Sequence, residues 1–200
     1  MYERLVIQIL LYHGTISKFK DSFIENGVLL NKAKPKVDFG AGFYTSVNKR
    51  FAERTARNHA FKFNNKSDGE SVLPLIITFE IEDDVLSSLN TRRFDRATAE
   101  WLQFVLYNRV KPEKKNIVCC GNPFDLRDVV IGPIADASIV SLIYDINDNK
   151  KQWTDISPDD VSPYDGGAEL QYSFHTENAL SYLRIVKYEL LKLPKGVGAL

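Results

Sequence analysis

LYHGT at residues 11–15 closes an apolar run, Ile9 to Tyr12, with a histidine and a glycine. The run predicts a central strand that stops at Gly14. An imidazole, His13, then stands at a strand edge beside bare backbone, where a ligand can come close. The other histidines differ in setting. His59 falls within a helical stretch and His175 where a strand hands over to a helix, so packing or capping accounts for each. A second stretch, DFGAGFYTS at residues 38–46, sets Gly40 and Gly42 two apart before an aromatic. That spacing predicts a tight turn with Tyr44 at its exit, and a hairpin with a buried tyrosine would use the same letters.

Working outward, Phe19 to Asn26, closed by Gly27, has the spacing and stop of a short helix. Asn31 to Val37 is basic, contains Pro35 and reads as a loop. Asn48 is placed to cap a helix carrying Phe51, Ala52, Thr55, Ala56 and His59 on one face. Val72 to Ile81 is rich in β-branched residues and predicts a strand, with Pro74 near its start. Trp101, Leu102, Val105 and Leu106 recur at helical spacing within Asp95 to Asn108. Strands are expected at Asn116 to Cys120 and at Asp128 to Ile131, the latter ending at Gly132-Pro133. Ala137 to Ile146 predicts a helix, Asn147 to Gly167 a mobile loop, and Leu170 to Phe174 the last strand. A closing helix is expected from Thr176 to Leu191. Short strands with separated helices indicate the α+β class in one domain over residues 1–200. The chain has neither a glycine-rich Rossmann turn nor a P-loop lysine motif.

Lys+Arg and Asp+Glu balance at 26 each, so net charge predicts no attraction to nucleic acid or an anionic membrane. The two cysteines, Cys119 and Cys120, are adjacent and have no distant partner. A disulfide framework and a four-ligand zinc site are therefore not expected; two thiols in a reducing cytosol are. No segment has the apolar length of a membrane span. The first apolar run, Leu5 to Tyr12, is broken by Gln8 and lacks a signal-peptide cleavage site, which makes cytoplasm the expected location.

A third pointer is ELQYSFHT at residues 169–176. Along a strand, Glu169 and Gln171 share one face and Leu170, Tyr172 and Phe174 the other. This predicts a core side and a cleft side, though a solvent-facing strand would look the same. Taken in order, YHGT, DFGxGFY and a late strand resemble the ADP-ribosyltransferase superfamily, in its diphtheria-toxin and poly(ADP-ribose) polymerase branch. Closer still, LYHGT, DFGAGFYTS, EWLQFVLYNR, VVIGPIAD and LQYSFHT followed by NAL resemble an uncharacterised bacterial domain family of that fold. The resemblance runs from residue 11 to about residue 180. It implies a split, mainly antiparallel β-sandwich with flanking helices, whose cleft takes NAD as a substrate without a metal.

The resemblance also assigns roles. His13 matches the histidine that hydrogen-bonds the adenosine-side ribose, with Thr15 completing its block. Gly14 matches the glycine whose backbone holds the nicotinamide carboxamide. Tyr44, preceded by Gly42, matches the aromatic that stacks on nicotinamide. Many relatives carry a second stacking tyrosine on the next helix, where this chain offers Phe51. Gln171 matches the catalytic glutamate and departs from it, keeping a hydrogen bond to ribose but not the charge that offsets an oxocarbenium-like state. Glu169 on the same face, in an order reversed from the arginine-modifying relatives, and Asp38 beside the glycine turn are candidate acids. Arg109 closes a helix, where it suits the dipole or a pyrophosphate. The activity implied is mono-ADP-ribosyl transfer to a macromolecule, protein or nucleic acid. The implied setting is a toxin with an antitoxin-like partner, or an effector. An inactive NAD- or ADP-ribose-binding module and an NAD glycohydrolase are the alternatives.

Overall fold

The computed structural model describes residues 7–34, 36–67, 70–110, 127–135, 137–152, 155 and 169–193. The expected strand at residues 116–120 with its two cysteines, and most of the expected loop at 147–167, lie outside these. The described residues are α+β: seven strands, mostly antiparallel, with six α-helices. They fall into two compact units.

The first unit comprises the described residues up to Leu29, then Tyr44–Leu89, and those from Asn178 onward. Its strands are β1 (Gln8–Ile16), β2 (Phe43–Ser46), β3 (Pro74–Glu82) and β7 (Arg184–Leu190), in the order β2-β1-β3-β7. All three pairings are antiparallel. Helix α1 (Lys20–Asn26) follows β1, α2 (Lys49–Asn64) follows β2 and α3 (Asp83–Ser88) follows β3. Asn48 caps α2 as expected, its side chain accepting from the N–H groups of Arg50 and Phe51. The buried stripe of α2 is Ala52, Ala56 and Ala60, whereas His59 lies on the exposed side.

Two expectations need correcting here. Strand β1 does not stop at Gly14 but continues to Ile16, paired with β3 as far as Ile16↔Pro74. Gly14 is instead the point of closest helix approach. A Cβ on it would lie 2.1 Å from the carbonyl oxygen of Ala52 and 2.9 Å from the Ala56 nitrogen. Tyr12 packs with Ala52, Ala56 and Ile76 at the same contact, and Ile16 with Ala60 and Val72. Alternation along β1 turns Leu11, His13 and Thr15 to the opposite face.

The expected closing helix is also absent. Helix α6 (Glu177–Leu180) is one turn long, and the chain then forms β7, which pairs with β3 from Leu75↔Leu190 to Glu80↔Arg184. Ile185, Val186 and Tyr188 suit a pleated surface, and pairing with β3 satisfies a row of backbone groups that a helix there would leave open.

The second unit comprises Leu30–Phe43 and the described residues of Asn90–Glu177. Strand β4 (Thr91–Arg93) runs parallel to β5 (Val129–Pro133), which pairs antiparallel with β6 (Leu170–Phe174). Helices α4 (Ala99–Arg109) and α5 (Ala137–Asn147) belong to it. Thr98 caps α4, and its expected apolar set of Trp101, Leu102, Val105 and Leu106 is buried. Trp101 donates its indole N–H to the Pro133 carbonyl at 3.1 Å, which satisfies the only polar atom of that large buried side chain. Phe39, Phe94 and Phe104 form a triangle with centroids 5.5–6.3 Å apart. Both faces of β6 are covered from Gln171 to Phe174. Among the described residues, no helix is long and apolar enough to cross a membrane.

Gly14→Ala drives a methyl into backbone of α2, which cannot rotate away as a side chain can. The expected outcome is a loss of at least ~2 kcal/mol, read as a fall of roughly 4–8 °C in Tm for a chain of this size. Gly27→Ala, where a Cβ meets nothing within 4 Å, reports only the backbone strain of a left-handed helix stop.

Candidate functional site

In the first unit, β1 and β2 pair through Tyr12↔Ser46. One residue on, the link is made by a side chain: His13 Nδ1 lies 2.7 Å from the Tyr44 carbonyl oxygen. A carbonyl only accepts, so Nδ1 carries the proton and donates. The Phe23 ring of α1 lies 5.8 Å from the imidazole. Removal from water lowers the His13 pKa to about 4, against the Tyr44 bond that favours the charged form, and His59 lowers it further. His13 is therefore neutral at pH 7 with its acceptor lone pair on Nε2, which suits it to receive a hydroxyl donor. Thr15 is buried one step along the same face, and Tyr44 is partly buried. Phe51, partly buried near the start of α2, has the Arg54 guanidinium 5.2 Å from its ring centroid.

In the second unit the centre is Asp38, a carboxylate at the head of the glycine turn and only 8% exposed. Arg109, the last residue of α4, donates to its Oδ1 at 2.7 Å. Its Oδ2 accepts from Gln171 Nε2 at 2.8 Å and from the Ala135 backbone N–H at 3.1 Å. Asn108 Nδ2 reaches the Asp38 carbonyl at 3.4 Å and the Phe104 carbonyl at 2.9 Å. A buried charge is tolerable only when paired and hydrogen-bonded, and here a cation, an N–H and an amide supply both conditions.

The polar face of β6 continues past Gln171. Ser173 Oγ and His175 Nε2 are 2.6 Å apart, and His175 Nδ1 lies 2.9 Å from the Ala41 carbonyl. That carbonyl requires the proton on Nδ1, so Nε2 accepts from the serine. Burial lowers the His175 pKa, keeping the ring neutral. The pair has the outline of a nucleophile and its base, but Ser173 is 0% exposed and out of reach of a substrate. Gly42 faces the same imidazole: a Cβ there would meet His175 Cε1 at 2.8 Å. Gln171, Ser173 and His175, spaced two apart, thus lie along the turn from Asp38 to Gly42. The face expected to be a cleft side clamps the glycine turn.

His13, Gly14, Thr15, Tyr44 and Phe51 accordingly belong to the first unit, and Gly42, Glu169 and Gln171 to the second. Within the first, His13 and Tyr44 are brought into contact across 31 residues of sequence. Within the second, Gln171 meets Asp38; Glu169 is half-buried, and its carbonyl accepts from the Ile134 N–H. Arg109 is engaged by Asp38. Sequence reasoning missed Asp38 as the hub, although the letters held a hint: an amide at position 171 is the residue that a carboxylate neighbour would select. Among the described residues no group of three or more His, Cys, Asp and Glu is arranged to hold a metal ion.

Residues 9–185 match the family described as "Protein of unknown function (DUF3990)", and the chain belongs to that family. No curated protein matches it.

Two outcomes follow from this geometry. The unfolded chain protonates His13 near pH 6.5 and the folded one only near 4, so stability is full above 6.5 and falls as pH drops through that window. His175 acts in the same direction. His13→Gln should flatten the slope of urea midpoint against pH across the window. Arg109→Leu strands the Asp38 carboxylate and should cost about 3–5 kcal/mol in urea unfolding at neutral pH.

Proposed function

We propose that this member of the DUF3990 family has the ADP-ribosyltransferase fold and transfers ADP-ribose from NAD to a macromolecular acceptor, one unit per event. In the reaction the bond between the nicotinamide nitrogen and ribose C1′ breaks and nicotinamide leaves with the electron pair. An acceptor heteroatom then bonds to C1′ and loses its proton to solvent. His13 Nε2 accepts from a hydroxyl of the adenosine-side ribose, the Gly14 backbone holds the carboxamide, and Tyr44 stacks on the nicotinamide ring, assisted by Phe51. Stacking contributes about 0.5–1.5 kcal/mol beyond the area it buries, enough to orient the ring. Gln171 accepts from a ribose hydroxyl, and Glu169 supplies the carboxylate charge that the amide lacks.

The observation that carries this reading is the His13–Tyr44 contact. Two blocks far apart in sequence, each with a role in the resemblance, meet at 2.7 Å. The contact also fixes the tautomer that leaves Nε2 as an acceptor. A histidine with a pKa of about 4 keeps that acceptor across the physiological range. A role as a toxin or effector with an antitoxin-like partner belongs to the same proposal.

A second reading, an NAD-binding module without turnover, has its own support. The amide in place of a carboxylate is matched to Asp38, so the departure from glutamate is built into the packing.

The test is to incubate the purified chain with NAD and quantify free nicotinamide, with and without cell lysate as acceptor source. For a transferase, release requires lysate, and Tyr44→Ala and Gln171→Ala each lower it, the latter by on the order of 10²–10³. NAD binding that weakens in Tyr44→Ala, with no nicotinamide released by wild type, would establish the binding module instead. Release independent of lysate would indicate a glycohydrolase.

A further inference from the structure

Gln171 is 7% exposed, and both hydrogens of its amide are claimed by groups that can only accept. Asp38 Oδ2 lies 2.8 Å from Nε2 and the Pro133 carbonyl 3.4 Å. The amide therefore has one orientation, because turning it over would set two oxygens against each other. Among the described residues no donor reaches its other end, Oε1. That orientation fixes Oε1 as the accepting end of the amide.

We propose that Asp38 is a positioning residue for Gln171: held by Arg109 and the Ala135 N–H, its carboxylate captures the amide nitrogen and commits Oε1 to accept from a ligand hydroxyl. This rests on the reading that Gln171 meets the ribose of NAD. The amide then presents to that hydroxyl the same kind of atom that a carboxylate would. The charged groups of the cluster are Asp38 and Arg109, and a glutamate at position 171 would place a second anion against Asp38. The glutamine is consequently the residue this site requires, and restoring the superfamily's glutamate damages it.

Two substitutions test the idea through nicotinamide release from NAD, NAD affinity by calorimetry, and Tm. In Asp38→Asn one of the two accepting oxygens becomes an amide nitrogen, so either Arg109 or the pair of Gln171 Nε2 and the Ala135 N–H loses its acceptor. Either way the neutral residue holds the Gln171 amide more weakly than the carboxylate does, and Oε1 is no longer committed to one orientation. Release should fall at least about tenfold, while the variant stays folded. In Gln171→Glu two carboxylates share the contact. Release and Tm should both be depressed at alkaline pH and recover as pH falls, when a single proton bridges the pair as the amide hydrogen did. Combining the two substitutions should abolish that pH dependence.

Undiminished release by Asp38→Asn, or by Gln171→Glu with a pH profile like that of wild type, overturns the proposal. If Gln171→Glu does not fold, Asp38→Asn decides. Wild type that neither binds NAD nor releases nicotinamide sinks the NAD reading and the positioning role with it. A pH-dependent Tm in Gln171→Glu would still record the Asp38–Gln171 pair, so the two failures are distinguishable.

Discussion

A carboxylate withdrawn from water must be compensated on every lone pair it exposes, and Asp38 imposes that demand on its whole unit. Meeting it takes a guanidinium from the last turn of α4, a backbone N–H from the segment after β5, and an amide from the middle of β6. Those three elements and the glycine turn are thereby set relative to one another. The cation at the end of α4 also lies where the helix dipole favours it, so one placement answers two electrostatic needs. His175 secures the other end of the turn through the Ala41 carbonyl. Gly42 is necessary because the imidazole occupies the volume its side chain would take, and a side chain at Gly40 would meet Asn108 Oδ1.

The first unit is governed by a steric constraint. Helix α2 comes so close to β1 that the strand has no side chain at Gly14 and the residues the helix buries are all alanines. With Tyr12, Gly14 and Ile16 turned to that helix, His13 is turned to the opposite face, beneath the Phe23 ring. Its low pKa and its bond to Tyr44 follow from that burial. The chemistry proposed for His13 is a consequence of how tightly the other face of its strand is packed.

Much of this was legible beforehand, for identifiable reasons. The apolar spacing of Trp101, Leu102, Val105 and Leu106 states a helix and its buried side directly, and Asn48 carries its capping chemistry in its own side chain. Strand β6 was bounded correctly at Leu170 and Phe174 because polar residues flank an alternating run. The errors arose where a local signal had two physical meanings. A glycine after an apolar run reads as a stop, and Gly14 instead marks a close approach. The stretch through Leu191 reads locally as a helix, and the edge of β3 instead pairs with RIVKYEL as a strand. His59, expected on the apolar face of α2, lies on its exposed side, the residues that the helix buries being Ala52, Ala56 and Ala60.

By itself the sequence determined the α+β class, the main helices, and the blocks around His13, Tyr44 and Gln171, since periodicity, capping and residue order are properties of neighbouring letters. The tertiary structure alone decided that His13 donates to Tyr44 and is neutral, that Asp38 is the hub for Arg109 and Gln171, and that the polar row of β6 clamps the glycine turn. Each of those depends on groups 31 to 134 residues apart in the chain. Their proximity is set by burial and by the need to satisfy buried polar atoms, and no local pattern encodes it.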